Sequence, residues 1–158
     1  FFHLRRERRF SEQRVQLYAA EITLALQALH KHDIVYRDLK PENILLDSSG
    51  HVSLSDFGLA KENVSKLPGG TVTFCGTPSY MAPEVLLGTG HSYPVDWWAL
   101  GTLVYEMLAG MPPHYSQNLE SMYRSILHGD LHFPRTFSRT ARKLLMGLLQ
   151  RLPKRRLG

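Results

Sequence analysis

A short polar segment in the first half of the chain has the residue types and spacing that phosphoryl transfer requires. Asp38 is followed by Lys40 and Asn43, and an Asp-Phe-Gly triplet begins at Asp56. Transfer of the γ-phosphoryl group of ATP needs a group that accepts the hydroxyl proton, a cation near the phosphate and oxygen ligands for Mg²⁺. We interpret Asp38 as the base, or at least as the group that orients the substrate hydroxyl, and Lys40 as the cation. Asn43 and Asp56 are then the candidate Mg²⁺ ligands.

The order of three motifs makes this interpretation specific. An isolated Asp-Phe-Gly triplet is more often an ordinary turn. Here the catalytic-loop pattern of residues 38–43 is followed by the triplet at residues 56–58 and by Ala-Pro-Glu at residues 82–84. That sequence of motifs is rarely produced by chance. It predicts one site to which separate loops contribute.

The elements that position these loops are predicted to be mainly α-helical, with a small β element beside the catalytic loop. A long amphipathic helix follows Ser11, and residues 95–109 are apolar nearly all round, as in a buried core helix. Short strands are predicted at residues 34–35, 44–46 and 52–55.

The remaining segments are a long loop and two further helices. Residues 58–83 are rich in Gly, Pro, Ser and Thr, and so long a loop is uncommon unless it is functional. A helix is predicted around Met122 that ends near Gly129, and a last helix is predicted with Thr140 as its N-cap.

Composition narrows the functional class. The 158 residues are 43% hydrophobic and 21% charged, which suits one globular domain. The net charge of +5 is concentrated in arginines at residues 5–9 and in residues 154–156, which favours solvated surfaces over a nucleic-acid site. Cys75 is the only cysteine, and no apolar run is long enough to span a bilayer. We expect a cytoplasmic location, with the nucleus as an alternative, no nucleic-acid partner and no transmembrane segment.

Longer motifs resemble the AGC group of protein serine/threonine kinases. They are Thr-Phe-Cys-Gly-Thr-Pro at residues 73–78, Met-Ala-Pro-Glu at 81–84, Val-Asp-Trp-Trp-Ala-Leu-Gly at 95–101 and Arg-Leu-Gly at 156–158. Tyr36, where many kinases have histidine, is similar to the same group. Gly-His-Val at residues 50–52 and Tyr-Ser-Gln at 115–117 look most like the branch that contains serum- and glucocorticoid-regulated kinases and protein kinase B.

The resemblance implies roles for residues around the active site. Thr73 matches the activating phosphothreonine of the group, and Arg37 matches the arginine that binds this phosphate. Thr77 matches the hydroxyl that bridges the catalytic aspartate and lysine in Ser/Thr kinases. Leu45 matches the residue beneath the adenine ring of ATP. Each role is an expectation from the resemblance, and plain core packing remains compatible with the role of Leu45.

The resemblance also implies a substrate surface and structural contacts. Glu42 and Glu106 match acidic residues that contact arginines upstream of the phosphorylated residue, although either could be a solvated surface carboxylate. Asp96 matches a buried aspartate that holds the backbone of the catalytic loop. Glu84 and Arg156 match a structural ion pair.

Three positions depart from the family pattern. Ser79 replaces a glutamate of the substrate-facing loop, which weakens the case for strong arginine preference. His114 replaces a phenylalanine, so looser packing is expected there. Leu152 replaces an aspartate, which puts the local turn in doubt.

The resemblance covers residues 1–158 as a partial kinase domain, the C-terminal lobe of a protein-kinase-like fold without its N-terminal lobe. We therefore expect the parent protein to phosphorylate Ser/Thr of protein substrates with basic residues upstream, after an upstream kinase phosphorylates its activation loop. The alternative is that this chain alone is catalytically inactive and serves as a substrate- or partner-binding lobe.

Overall fold

The computed structural model describes residues 2–67 and 69–158. Six helices and four short strands lie in these ranges. In chain order they are α1 (Phe2–Glu7), α2 (Glu12–Lys31), β1 (Ile34–Val35), β2 (Ile44–Leu46), β3 (Val52–Leu54), β4 (Lys61–Glu62), α3 (Pro83–Leu86), α4 (Pro94–Ala109), α5 (Leu119–His128) and α6 (Arg139–Leu148). No described helix is both long and apolar enough to cross a membrane.

Helix α4 forms the centre of the core, as its apolar sequence predicts. It packs against α2 on one side and α6 on another, so nearly all of its side chains are buried. Gly101 permits the close approach of α6, because a Cβ there would lie 2.9 Å from Cβ of Leu148. Leu103 is 1% exposed, which shows how completely the helix is covered.

Two small antiparallel sheets position the active-site loops. Strands β2 and β3 form a hairpin in which Ile44 pairs with Leu54. Strands β1 and β4 pair in the register Ile34 with Glu62. The loop of residues 36–43 connects β1 to β2, and Asp56 lies just after β3. The predicted architecture, mainly α-helical with a small β element at the catalytic loop, is confirmed.

The structure corrects three local predictions. Thr140 is not an N-cap, because Ser138 occupies that position and accepts a 3.0 Å hydrogen bond from the amide of Ala141. Part of the predicted loop at residues 58–83 is regular: β4 and two short 3₁₀ turns lie within it, and residue 68 lies outside the described residues. The turn put in doubt by Leu152 does form, since the Arg155 amide donates to the Leu152 carbonyl at 2.9 Å.

His114 is also packed more closely than predicted. Its side chain is 6% exposed and stacks parallel on Trp98, with ring centroids 6.3 Å apart. A ring nitrogen lies 3.0 Å from the hydroxyl of Ser125. The imidazole therefore fills the site of the expected phenylalanine ring and gains a polar partner. Burial, assisted by the charge of Arg151, lowers the pKa of His114 to about 4.

We expect His114 to make folding stability depend on pH. Its folded pKa of about 4 lies below the ordinary value of 6.5, so the unfolded state binds more protons between these values. Its contribution to the free energy of unfolding is constant well above pH 6.5. That contribution should fall by about 2 kcal/mol between pH 7 and pH 5. Denaturant unfolding of wild type and His114→Phe at both pH values measures this. A pH-independent difference between the two proteins would contradict it.

Candidate active site

The catalytic loop brings Asp38, Lys40 and Thr77 into direct contact. The Lys40 ammonium donates to Oδ2 of Asp38 at 2.8 Å and to the Thr77 hydroxyl at 3.2 Å. The Thr77 hydroxyl in turn donates to Oδ1 of Asp38 at 3.2 Å. Asp38 is 6% exposed, and Lys40 and Thr77 are donors to its two carboxylate oxygens. A carboxylate oriented in this way can accept a proton from a hydroxyl.

Asn43 is oriented by the same carboxylate. Its Nδ2 donates to Oδ2 of Asp38 at 2.8 Å and to the Asp38 carbonyl at 2.9 Å. Both N–H groups of the Asn43 side-chain amide therefore donate to Asp38, and the amide oxygen makes no hydrogen bond with Asp38. An amide oxygen is a suitable ligand for Mg²⁺.

Asp56 supplies the second candidate ligand. It follows β3 in a left-handed backbone conformation, with φ of 55°. One carboxylate oxygen accepts from the Gly58 amide at 3.1 Å, and the side chain is otherwise exposed. In the described part of the chain, no group of three or more His, Cys, Asp or Glu residues could hold a metal. A site with two protein oxygens fits Mg²⁺, which usually combines one or two protein ligands with phosphate oxygens and water.

Asp96 holds the catalytic-loop backbone from inside the core. Its Oδ2 accepts from the amide of Tyr36 at 2.9 Å, and its Oδ1 accepts from the amide of Arg37 at 2.8 Å. The side chain is fully buried, at 0% exposure. These bonds stabilise the left-handed backbone of Arg37, whose φ is 68°.

His30 is a further partner of Asp96 that the sequence did not indicate. Its Nε2 lies 2.8 Å from Oδ2 of Asp96, although the two residues are 66 positions apart. The ring also lies edge-on to Trp97, with centroids 5.3 Å apart. Only the tertiary packing of α2 against α4 brings these side chains together, so no local spacing could have predicted the contact.

Tyr36 joins the catalytic loop to the strand that precedes Asp56. Its hydroxyl donates to the carbonyl of Ser55, and its ring lies edge-on to Phe57 at 5.4 Å. Burial, with a smaller effect from the charge of Asp38, raises the pKa of Tyr36 to about 12. The hydroxyl therefore stays protonated and remains a donor.

Arg37 and Thr73 are not paired with each other in the structure. The Nε of Arg37 donates to the Leu59 carbonyl at 2.7 Å, while one terminal guanidinium nitrogen is buried and has no partner among the described residues. Thr73 is exposed, and its hydroxyl lies 3.3 Å from that of Thr71. A buried donor without a partner costs free energy, so Arg37 has unused capacity for an anion.

Leu45 lies on β2 at the edge of an apolar cavity of about 390 Å³. Its side chain is 56% exposed, so core packing does not account for most of its surface. Leu46, Leu103 and Met107 line the same cavity. A flat apolar ring such as adenine fits these surroundings.

Glu42 and Glu106 lie on one acidic surface. The Tyr80 hydroxyl donates to Oε2 of Glu106, which fixes that carboxylate. Burial raises the pKa of Glu106, the hydrogen bond from Tyr80 opposes this, and the charge of Glu42 raises it further. A cation placed between the two carboxylates would relieve their repulsion. Tyr80 was not singled out from the sequence, and its proximity to Glu106 is a tertiary contact.

Glu84 and Arg156 form a buried ion pair away from these groups. Both oxygens of Glu84 accept from the Arg156 guanidinium, at 2.7 and 2.9 Å. Arg156 also donates to the carbonyls of Pro94 and Gln150 and lies 5.2 Å from the centre of the Trp98 ring. The pair joins α3 to the end of the described chain.

Comparison with known proteins identifies the family of this chain. The model of the protein kinase domain family matches residues 1–158. The chain is 63% identical over 158 residues to "Protein kinase 2" of Dictyostelium discoideum, covering all of this chain and 33% of the relative. It is 57% identical to serine/threonine-protein kinase YPK1 of Saccharomyces cerevisiae, covering all of this chain and 23% of that protein.

A vertebrate relative gives the same result. The serine/threonine-protein kinase Sgk1 of Danio rerio is 57% identical over 159 residues, which cover all of this chain and 36% of the relative. The chain therefore spans about a quarter to a third of the length of the relatives it matches.

Proposed function

This chain belongs to the protein kinase family, among AGC-type serine/threonine kinases of the serum- and glucocorticoid-regulated branch, and from that premise we propose that the whole protein phosphorylates Ser/Thr side chains of protein substrates. The observation that carries the proposal is the contact of Asp38 with both Lys40 and Thr77. It places a proton acceptor, a cation and a hydroxyl within hydrogen-bond distance of one another.

ATP is the phosphoryl donor in this proposal, and Mg²⁺ supplies positive charge that offsets the negative charge of the phosphates. Asn43 and Asp56 hold the metal through their oxygens, and Leu45 supports the adenine ring. Asp38 orients the substrate hydroxyl and accepts its proton. Lys40 lies 2.8 Å from Asp38, so its ammonium would supply positive charge next to a substrate hydroxyl bound by Asp38.

The substrate is proposed to carry basic residues upstream of the acceptor. Glu42 and Glu106 support this, because a fixed and partly buried carboxylate beside an exposed one favours a guanidinium. Ser79 stands where the family has a further acidic residue, so fewer basic positions are recognised.

Activation is proposed to occur through phosphorylation of Thr73 by an upstream kinase. A phosphate adds about −1.5 to −2 charges and pairs well with arginine. One guanidinium nitrogen of Arg37 has no partner in residues 2–67 and 69–158, which supports this arrangement, since a phosphothreonine would give it an acceptor. Arg37 precedes Asp38 directly, so ordering of the activation loop would act on the catalytic base.

We expect the whole protein, phosphorylated at Thr73, to transfer phosphate from ATP to a serine peptide with upstream arginines. Thr73→Ala should lower kcat/KM at least about fivefold, as couplings of 1–3 kcal/mol do. The change is measured by radiometric transfer assay. Arg37→Ala should remove the gain from phosphorylation.

Val72→Ala is the matched control, since its exposed side chain neighbours Thr73. It should leave the rate unchanged. Absence of transfer by the Thr73-phosphorylated protein would overturn the proposed function. Equal rates with and without phosphate on Thr73 would overturn only the activation step.

A further inference from the structure

A cavity of about 770 Å³ lies where the end of α4 meets the segment after α1. Its lining carries charges of both signs. Arg5, Arg8 and Arg9 line it and are called the arginine wall below, and Glu106, the partly buried member of the acidic surface, lines the same cavity. The cavity is therefore continuous with the proposed binding surface for basic residues.

Backbone contacts join the segment that carries Arg8 and Arg9 to the end of α4. The Phe10 amide donates to the Met107 carbonyl at 2.8 Å, and the Gly110 amide donates to the Glu106 carbonyl at 2.7 Å. Gly110 has φ of 90°, and a Cβ there would lie 2.7 Å from the carbonyl oxygen of Arg8. The backbone that carries Arg8 is thus pressed directly against the end of α4, one turn beyond Glu106.

The arginines of this wall have no acidic partner within the described residues. Glu7, the other acidic residue that lines the cavity, is bound by Arg14 at 2.8 Å and lies 3.7 Å from Arg6. Arg5, Arg8 and Arg9 are exposed and form no ion pair in the parts of the chain that the structure describes. Their charge remains available to an external anion.

Positions along helix α4 indicate how far the arginine wall lies from Asp38. Asp96, in the first turn of the helix, contacts the backbone next to Asp38, whereas Glu106 lies in the last turn and Gly110 directly follows the helix. At 1.5 Å per residue, Glu106 lies about 15 Å and Gly110 about 21 Å along the axis from Asp96. The arginines therefore lie farther from the catalytic base than the acidic surface does.

We propose that Arg5, Arg8 and Arg9 bind an acidic side chain of the substrate, N-terminal to the basic residue that Glu106 binds. This inference rests on the proposed kinase function and deepens it. The preferred substrates then combine two charges in a fixed order: an acidic residue first, a basic residue next and the phosphorylated Ser/Thr last. Each charge meets its complement on the surface, and the reversed order would place like charges together.

The test uses the whole protein phosphorylated at Thr73 and three arginine-containing serine peptides. They differ only at the positions N-terminal to the arginines, which carry Glu, Ala or Lys. We expect kcat/KM to be about fivefold higher for Glu than for Ala, and lower again for Lys, as partly exposed ion pairs allow. The gain should shrink at 0.5 M salt, a concentration chosen to screen exposed charges.

Charge reversal identifies the residues responsible. Arg8→Glu and Arg5→Glu should each remove the preference for Glu and favour the Lys peptide, as measured by the ratios of kcat/KM among the three peptides within each variant. Arg6→Glu is the matched control, because it changes the net charge equally but Arg6 does not line the cavity. A fourth peptide with phosphoserine at the same positions distinguishes two kinds of anion. A kcat/KM above that of the Glu peptide identifies phosphorylated residues as the preferred group, and an equal kcat/KM identifies carboxylates.

The outcomes separate this inference from the proposed function. Phosphorylation of all three peptides at equal kcat/KM overturns the acidic-residue site and leaves the kinase function standing. Phosphorylation of none overturns the kinase function and this inference with it. If Arg8→Glu weakens binding to duplex DNA or anionic vesicles without changing the peptide preference, the arginine wall serves another partner and the inference is wrong.

Discussion

Asp38→Asn is expected to lower kcat of the Thr73-phosphorylated protein by about 10²- to 10⁴-fold, the usual contribution of a general base. The asparagine has nearly the same shape, so the contacts of Lys40 and Asn43 with this position are disturbed little. Its amide cannot accept the hydroxyl proton. Single-turnover phosphate transfer at saturating ATP measures the loss without a contribution from product release.

The affinity for nucleotide distinguishes the proposed role of Asp38 as a base from the proposed role of Asp56 as a metal ligand. Asp38→Asn should leave the Kd for the ATP–Mg²⁺ complex within about threefold of wild type, a change of less than 1 kcal/mol. Asp56→Asn should weaken that binding, because it removes a charged oxygen ligand. Asp130→Asn, an exposed position outside the site, is the charge-matched control. A loss of nucleotide affinity in Asp38→Asn as large as its loss of rate would contradict the role of base.

The proximity of the proposed catalytic groups was predictable because the chain presents most of them in one short segment. Asp38, Lys40 and Asn43 lie within six residues, so their relative placement depends mainly on local backbone geometry. Thr77 lies 39 positions from Asp38 and was identified only by resemblance, yet the structure brings its hydroxyl to 3.2 Å from the Asp38 carboxylate. What that contact does in catalysis stays a prediction.

The contacts that support the site were harder to predict. His30 and Tyr80 are ordinary members of a helix and a turn in the sequence, and they become partners of Asp96 and Glu106 only through packing. The local hydrophobic pattern does not predict such a contact. A buried carboxylate does require donors, so Asp96 within an apolar helix indicated that partners exist but could not identify them.

Two short elements, α1 and β4, were missed for a different reason. Helix α1 spans six residues, and only Leu4 among them is buried, so it has no apolar periodicity to detect. Strand β4 is two residues long and fully exposed, and its existence depends on pairing with β1. In both cases the surrounding structure, more than intrinsic propensity, determines the backbone conformation.

Arg156→Met is expected to destabilise the fold by about 3 to 5 kcal/mol, because it leaves the Glu84 carboxylate buried without its partner. Glu84 is 6% exposed, and its side-chain oxygens accept only from Arg156 among the described contacts. The reverse truncation, Glu84→Gln, should cost less. Arg156 would keep its hydrogen bonds to the carbonyls of Pro94 and Gln150 and its contact with Trp98.

A double replacement distinguishes the net contribution of the ion pair to stability from the free-energy cost of burying one unpaired charge. Glu84→Leu combined with Arg156→Met removes both charges and should recover most of the stability lost in Arg156→Met, as replacement of buried ion pairs by apolar residues often does. Hydrogen exchange of the α4 amides measures the local opening free energy, even if the whole protein unfolds in more than one step. Additive losses in the double variant would show that Glu84 and Arg156 act independently, and the ion pair would then not be what joins α3 to the segment around Arg156.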